Sequence, residues 1–141
     1  MAALAGTLRL LWLGMLAALA GVAALPALAG PAQAAWSEAR VLVLTLVLTL
    51  LAMAAGVGSL SLREALVQDV ASGSVDPESA EGAAHVERLM LRTWVLCLLV
   101  GMLGLVAAWT SADATRVLPF VVAASGLLLF HAPHRVPRER S

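Results

Sequence analysis

The sequence predicts an all-helical integral membrane protein with four transmembrane helices. Three observations carry this: four apolar runs at about residues 10–28, 41–62, 93–109 and 117–130, the absence of Asp, Glu, Lys and Arg from all four, and arginines gathered at their ends. A bilayer core about 30 Å thick needs about 20 residues of helix, which three of the runs approach or reach. With 61% hydrophobic and 13% charged residues and a mean hydropathy of +0.92, the 141-residue chain lies outside the range of soluble globular domains. Its formal net charge of zero gives no reason to expect a nucleic-acid partner.

The first run follows a lone Arg9 and ends near Ala32-Gln33-Ala34, which imitates a secretory signal with an A-x-A cleavage site. We expect a retained first span. The second and third runs are joined by a charged stretch, whereas the first–second and third–fourth connections are short.

Orientation follows from the arginines, because short cytoplasmic loops collect Lys and Arg. With four spans, Arg9, Arg63, Arg88, Arg92, Arg135, Arg138 and Arg140 share one side and Arg40 and Arg116 the other, so both termini are expected inside. The chain has nine Arg and no Lys, a bias that suggests a GC-rich bacterial genome and hence the bacterial inner membrane. Trp12 and Trp94 fall at the inner boundary and Trp36 and Trp109 at the outer one, where amphipathic indoles anchor helices at headgroup level.

The outer connections carry a faint repeat. Trp36-Ser37-Glu38-Ala39-Arg40-Val41-Leu42 and residues 109–118 each read Trp, an acidic turn, then Arg-Val-Leu, as a duplicated helical hairpin would. Duplication would let Glu38 pair with Arg116 and Asp113 with Arg40.

Within the spans, small or weakly polar residues recur at steps of three and four. They are Gly14, Ala18 and Gly21 in the first, Thr45, Thr49, Ala52, Gly56 and Ser59 in the second, and Cys97, Gly101, Gly104 and Ala108 in the third. Ala123 and Gly126 give a shorter version in the fourth. Lipid offers no hydrophobic gain for association, so close backbone approach at small residues supplies the packing. These seams mark contact faces without saying whether the contact is internal or with a partner. Cys97, the single cysteine, reads as a small packing residue.

After Arg63, Glu64-Ala65-Leu66-Val67-Gln68-Asp69-Val70-Ala71 is expected to carry the second helix past the membrane until Ser72-Gly73-Ser74 stops it. Asp76-Pro77-Glu78 reads as the next helix start, with Asp76 as N-cap. Residues 63–90 thus form a cytoplasmic helical hairpin whose apolar members Leu66, Val70, Val86 and Leu89 would dock a soluble neighbour. His85 is placed to pair with Glu81 four residues earlier.

Chemistry is sparse. Proton-coupled transport needs titrating groups at membrane depth, and apart from Cys97 the runs contain none. The chain resembles the small multidrug exporters in size and span count, yet it lacks the carboxylate such a transporter would be expected to hold in its first span. No phosphate loop, nucleophile elbow or His/Cys ligand spacing occurs. Met15, Met53 and Met102 share no spacing with Cys97 that would build a soft-metal site. Of the three histidines, His131 is the best placed to ligate haem or a chlorophyll-type pigment from a helix face. His134 stands in a basic, Pro-broken tail suited to stopping the chain at an anionic surface.

The functional expectation is a small accessory or assembly subunit of a larger membrane complex, acting on other membrane subunits or on copies of itself through its seams and hairpin. The alternatives are an oligomeric transporter or pore using Thr45 and Thr49, and a haem- or pigment-binding subunit through His131.

Overall fold

The structure, a computed structural model, describes residues 2–29 and 36–132, with side chains from Gly6 onward. Ala32-Gln33-Ala34, His134, Arg135, Arg138 and Arg140 lie outside the described residues. Within them the chain forms helices α1 (Ala2–Ala29), α2 (Glu38–Ala71), α3 (Ala80–Ser111) and α4 (Leu118–Phe130), with a 3₁₀ turn at Ala114–Val117 leading into α4 and no strand. Three of these helices, α1, α2 and α3, are long and apolar enough to cross a membrane.

At a rise of about 1.5 Å per residue, α2 and α3 are each about 50 Å long, well beyond a bilayer core of about 30 Å. The two helices are joined through the turn at 72–79. The buried apolar positions on α2 (Val41, Leu48, Ala55, Leu66, Val70) are separated from one another by seven, eleven or four residues, which keeps one stripe against α3. α3 is the centre of the molecule: 44% of its most apolar stretch is buried, against 17% for α1 and for α2. α1 packs on α3 and α4, and α2 packs chiefly on α3, while α1 and α2 do not meet.

The ends of the helices follow their sequence. Ser72 closes α2, and Gly73 at φ +71° supplies the left-handed step that lets the chain turn. The N-cap of α3 is Ser79, not Asp76: the Ser79 hydroxyl accepts from the Gly82 amide at 3.0 Å. Asp76 instead accepts the Glu78 amide on its carboxylate at 2.9 Å and the Ser79 amide on its carbonyl at 3.2 Å, tightening the turn ahead of the helix. That turn folds back so closely that a Cβ at position 82 would collide with the Asp76 carbonyl, and glycine is required there. α3 ends with Ala112 in the left-handed region and the Asp113 amide donating to Ala108 at 3.2 Å. Asp113 then caps the 3₁₀ turn, its carboxylate accepting from the amide and hydroxyl of Thr115 at 3.0 and 2.7 Å.

Several expected contacts are replaced by others. Arg116 meets Asp113 on its own turn at 3.6 Å and donates to the Thr45 hydroxyl at 3.5 Å, in place of pairing with Glu38. His85 faces Asp69 across the hairpin at 3.6 Å, not Glu81. Leu66, Val70 and Val86 are buried against one another and Leu89 packs on them, so the apolar members of the hairpin are consumed in joining α2 to α3.

Candidate functional site

The polar groups that matter gather at one place, the C-terminal end of α4. The last four carbonyls of any α-helix lack partners along their own helix and must find donors elsewhere. In a helix surrounded by apolar neighbours those donors have to come from side chains or from the chain's own next residues.

Here donors come from two helices, α1 and α3, and from the cap. Trp12 on α1 donates its indole N–H to the Leu128 carbonyl at 2.9 Å. The His131 backbone amide donates to Leu127 at 2.9 Å, and that of Ala132 to Leu129 at 3.4 Å. Trp94 on α3 donates its indole N–H to the His131 carbonyl at 3.1 Å. The His131 ring completes the set, with Nδ1 2.6 Å from the Leu127 carbonyl and Nε2 3.2 Å from the Ser59 carbonyl on α2. A neutral ring, with one N–H, serves one of these acceptors; a protonated ring serves both. This clasp ties all four helices together.

Burial gives the clasp its rigidity. Trp94 is fully buried and His131 is 4% exposed. Trp94 therefore acts as an internal donor and packing centre, not as the headgroup anchor its position in the sequence suggests. Trp36 and Trp109, about half exposed at the opposite end, keep the surroundings an anchor needs. Beside the clasp the Arg63 guanidinium sits 4.2 Å from the centre of the Phe130 ring, close enough for a cation–π contact. Phe130 also meets the His131 ring edge-on at 5.3 Å. Arg63, Leu66, Met90, Thr93, Trp94, His131 and Ala132 line a cavity of about 20 Å³, room for about one water molecule.

The predicted seams divide sharply. On α3, Cys97, Gly101, Gly104 and Ala108 are all buried. A Cβ on Gly101 would collide with Leu19 of α1, and one on Gly104 would come within 2.5 Å of Phe120 of α4. On α2, Ser59 is fully buried against the Cys97 thiol, Gly56 lies against Leu127 and Ala52 packs inward. Thr49 is exposed and returns its hydroxyl to the Thr45 carbonyl of its own helix at 2.8 Å. On α1, Gly14, Ala18 and Gly21 face outward, and Leu8, Leu19 and Val22 turn inward instead. On α4, Ala123 and Gly126 face outward and Phe120, Ala124 and Leu128 inward.

Haem or pigment ligation through His131 would need a ring nitrogen with a free lone pair on an open face. Both nitrogens instead point at carbonyls inside the clasp, so ligation would require the ring to leave Ser59 and Leu127. Among the described residues no three His, Cys, Asp or Glu side chains converge as a metal site. Sequence reasoning singled out His131 but missed Trp12, Trp94 and Ser59 as its companions in one network; their only prior signal was a shared level at one membrane boundary. No protein-family model matches the chain, and neither a curated protein nor a solved structure does.

Proposed function

We propose that the chain crosses a bacterial inner membrane four times, with both termini and the α2–α3 hairpin in the cytoplasm, and serves as an accessory or assembly subunit of a larger membrane complex. The fourth crossing is supported by length: the 3₁₀ turn at about 2.0 Å per residue and α4 at about 1.5 Å together extend about 28 Å, near the thickness of a bilayer core. The sided arginines support the orientation. The duplicated hairpin is left out, because α3 packs on α4 whereas α1 does not reach α2.

The observation that carries the subunit reading is that α1 and α2 flank the α3–α4 centre without meeting. Each keeps a long outward face; on α1 that face carries the Gly14, Ala18 and Gly21 seam that no internal helix uses. Thr49, Ser59, Ser61 and Thr93 return their hydroxyls to carbonyls of their own helices and Ser59 lies against the Cys97 thiol, which supports packing over solute passage. The test is to solubilise the full chain from its native membrane in mild detergent and identify what travels with it. A lone monomer with nothing co-purifying overturns the reading.

A further inference from the structure

Arg9, Arg63 and Arg92 come from three different helices and lie at the level of one structural mark, the C-terminal end of α4. Arg9 stands three residues before Trp12, whose indole reaches Leu128. Arg92 stands two residues before Trp94, whose indole reaches His131. Arg63 lies over Phe130 itself. At about 1.5 Å of rise per residue, all three are within about one helical turn of that end. Each also adjoins a charge-free run: Arg9 precedes Leu10, Arg63 follows Leu62 and Arg92 precedes Thr93. In a four-span arrangement this level falls at the depth of the headgroups.

Among the described residues none of the three has a carboxylate within ion-pairing distance. The ion pairs there are His85–Asp69 and Arg116–Asp113. Glu64, next to Arg63 in sequence, is exposed and makes no pair with it. At the opposite end Arg116 is held by its own Asp113, while Arg40 is exposed and pairs with no carboxylate among the described residues. Arg9 and Arg92 are exposed, and Arg63 is steadied by the half-exposed Phe130 ring, whose free edge suits contact with acyl chains. A guanidinium offers a planar fork of donors that matches phosphate oxygens.

We infer that Arg9, Arg63 and Arg92 form a collar that binds the phosphate headgroups of anionic phospholipid around the clasped end of α4. The inference rests on the membrane-spanning reading above. The full chain is reconstituted in phosphatidylcholine vesicles with and without phosphatidylglycerol, and the lipid retained through detergent extraction is measured by mass spectrometry. Wild-type protein is expected to retain phosphatidylglycerol in preference to phosphatidylcholine. Each Arg→Gln change in the collar is expected to reduce that preference on the order of fivefold. Arg9→Gln/Arg63→Gln/Arg92→Gln is expected to abolish it, while Arg63→Lys and the opposite-end Arg40→Gln leave most of it. Equal retention of the two lipids by wild type, or an undiminished preference in the triple variant, overturns the collar. Displacement of phosphatidylglycerol by equimolar inorganic phosphate overturns lipid as the ligand. Failure of wild type to integrate into vesicles overturns the membrane reading and the collar together; integration without lipid preference overturns the collar alone.

Discussion

Trp94 on α3 and His131 at the end of α4 are both buried and are joined by a hydrogen bond of 3.1 Å from the indole N–H to the His131 carbonyl. An acceptor in this position is cut off from bulk water, with only the single-water cavity beside it as an alternative, so removing the donor costs more than a hydrogen bond at a surface would. Trp94→Phe keeps most of the ring volume and deletes the N–H. We expect it to destabilise the protein by about 1–3 kcal/mol, and Trp94→Ala by about 3–5 kcal/mol because it also opens a cavity. Thermal unfolding in detergent micelles measures both, and an unchanged midpoint for Trp94→Phe would show that the carbonyl is satisfied in another way.

Ala112 ends α3 at φ 53° and ψ 26°, a left-handed conformation in which a Cβ crowds the backbone. Glycine is the usual residue at this step of a helix C-terminus. Ala112→Gly should therefore stabilise the protein by up to about 1 kcal/mol, the relief of the Cβ contact being partly offset by a more flexible unfolded chain. Ala112→Val should lower the unfolding midpoint. A lower midpoint for the glycine variant would mean that Ala112 contributes packing that its conformation does not reveal.

Asp113, in the turn between α3 and α4, is held below its ordinary pKa chiefly by the Thr115 hydroxyl and amide that donate to it, with Arg116 adding its charge. A carboxyl depressed in the folded state contributes stability that is fully present above its ordinary value and is lost as the pH falls through the lowered one. The Thr115 amide should stay protected at neutral pH and lose protection only in acid below the normal carboxylate range. Hydrogen exchange at Thr115 measures this. In Asp113→Asn the acid dependence should disappear; if it persists, another group controls the turn.

The helices were legible because a charge-free run of membrane length leaves few alternatives, and the α3 seam was legible because small residues every three or four positions admit close neighbours. The same spacing on α1 had a different outcome. Gly14, Ala18 and Gly21 line up as well as Cys97, Gly101 and Gly104 do, yet α1 turns Leu8, Leu19 and Val22 inward, and Leu19 occupies the hollow that Gly101 leaves. One sequence shows that a face can pack, but which face wins depends on the complementary shape of another helix. Trp94 was misread for a related reason: a tryptophan at a membrane boundary serves equally well as an anchor or as a donor to a helix end, and only the position of α4 decides. The start of α3 was missed because Asp76 and Ser79 are both competent caps, and the tight return of the turn over Gly82 favours the later one.

The two glycine faces make opposite predictions that separate internal packing from partner packing. Gly104→Ala places a methyl within 2.5 Å of the Phe120 Cβ, and Gly101→Ala drives one into Leu19. Overpacking of this kind should destabilise the isolated protein by about 1–3 kcal/mol. Nothing lies within 4 Å of a Cβ built on Gly14 or Gly21, so alanine there should be neutral or stabilise the isolated protein by up to about 1 kcal/mol through helix propensity. If the α1 face meets a partner subunit, a larger residue behaves differently again. Gly21→Leu should leave the unfolding midpoint of the purified chain unchanged while reducing the amount of protein that co-purifies with it. Loss of stability in the isolated Gly21→Leu protein would place that face inside the molecule, and unchanged co-purification would remove it from the interface.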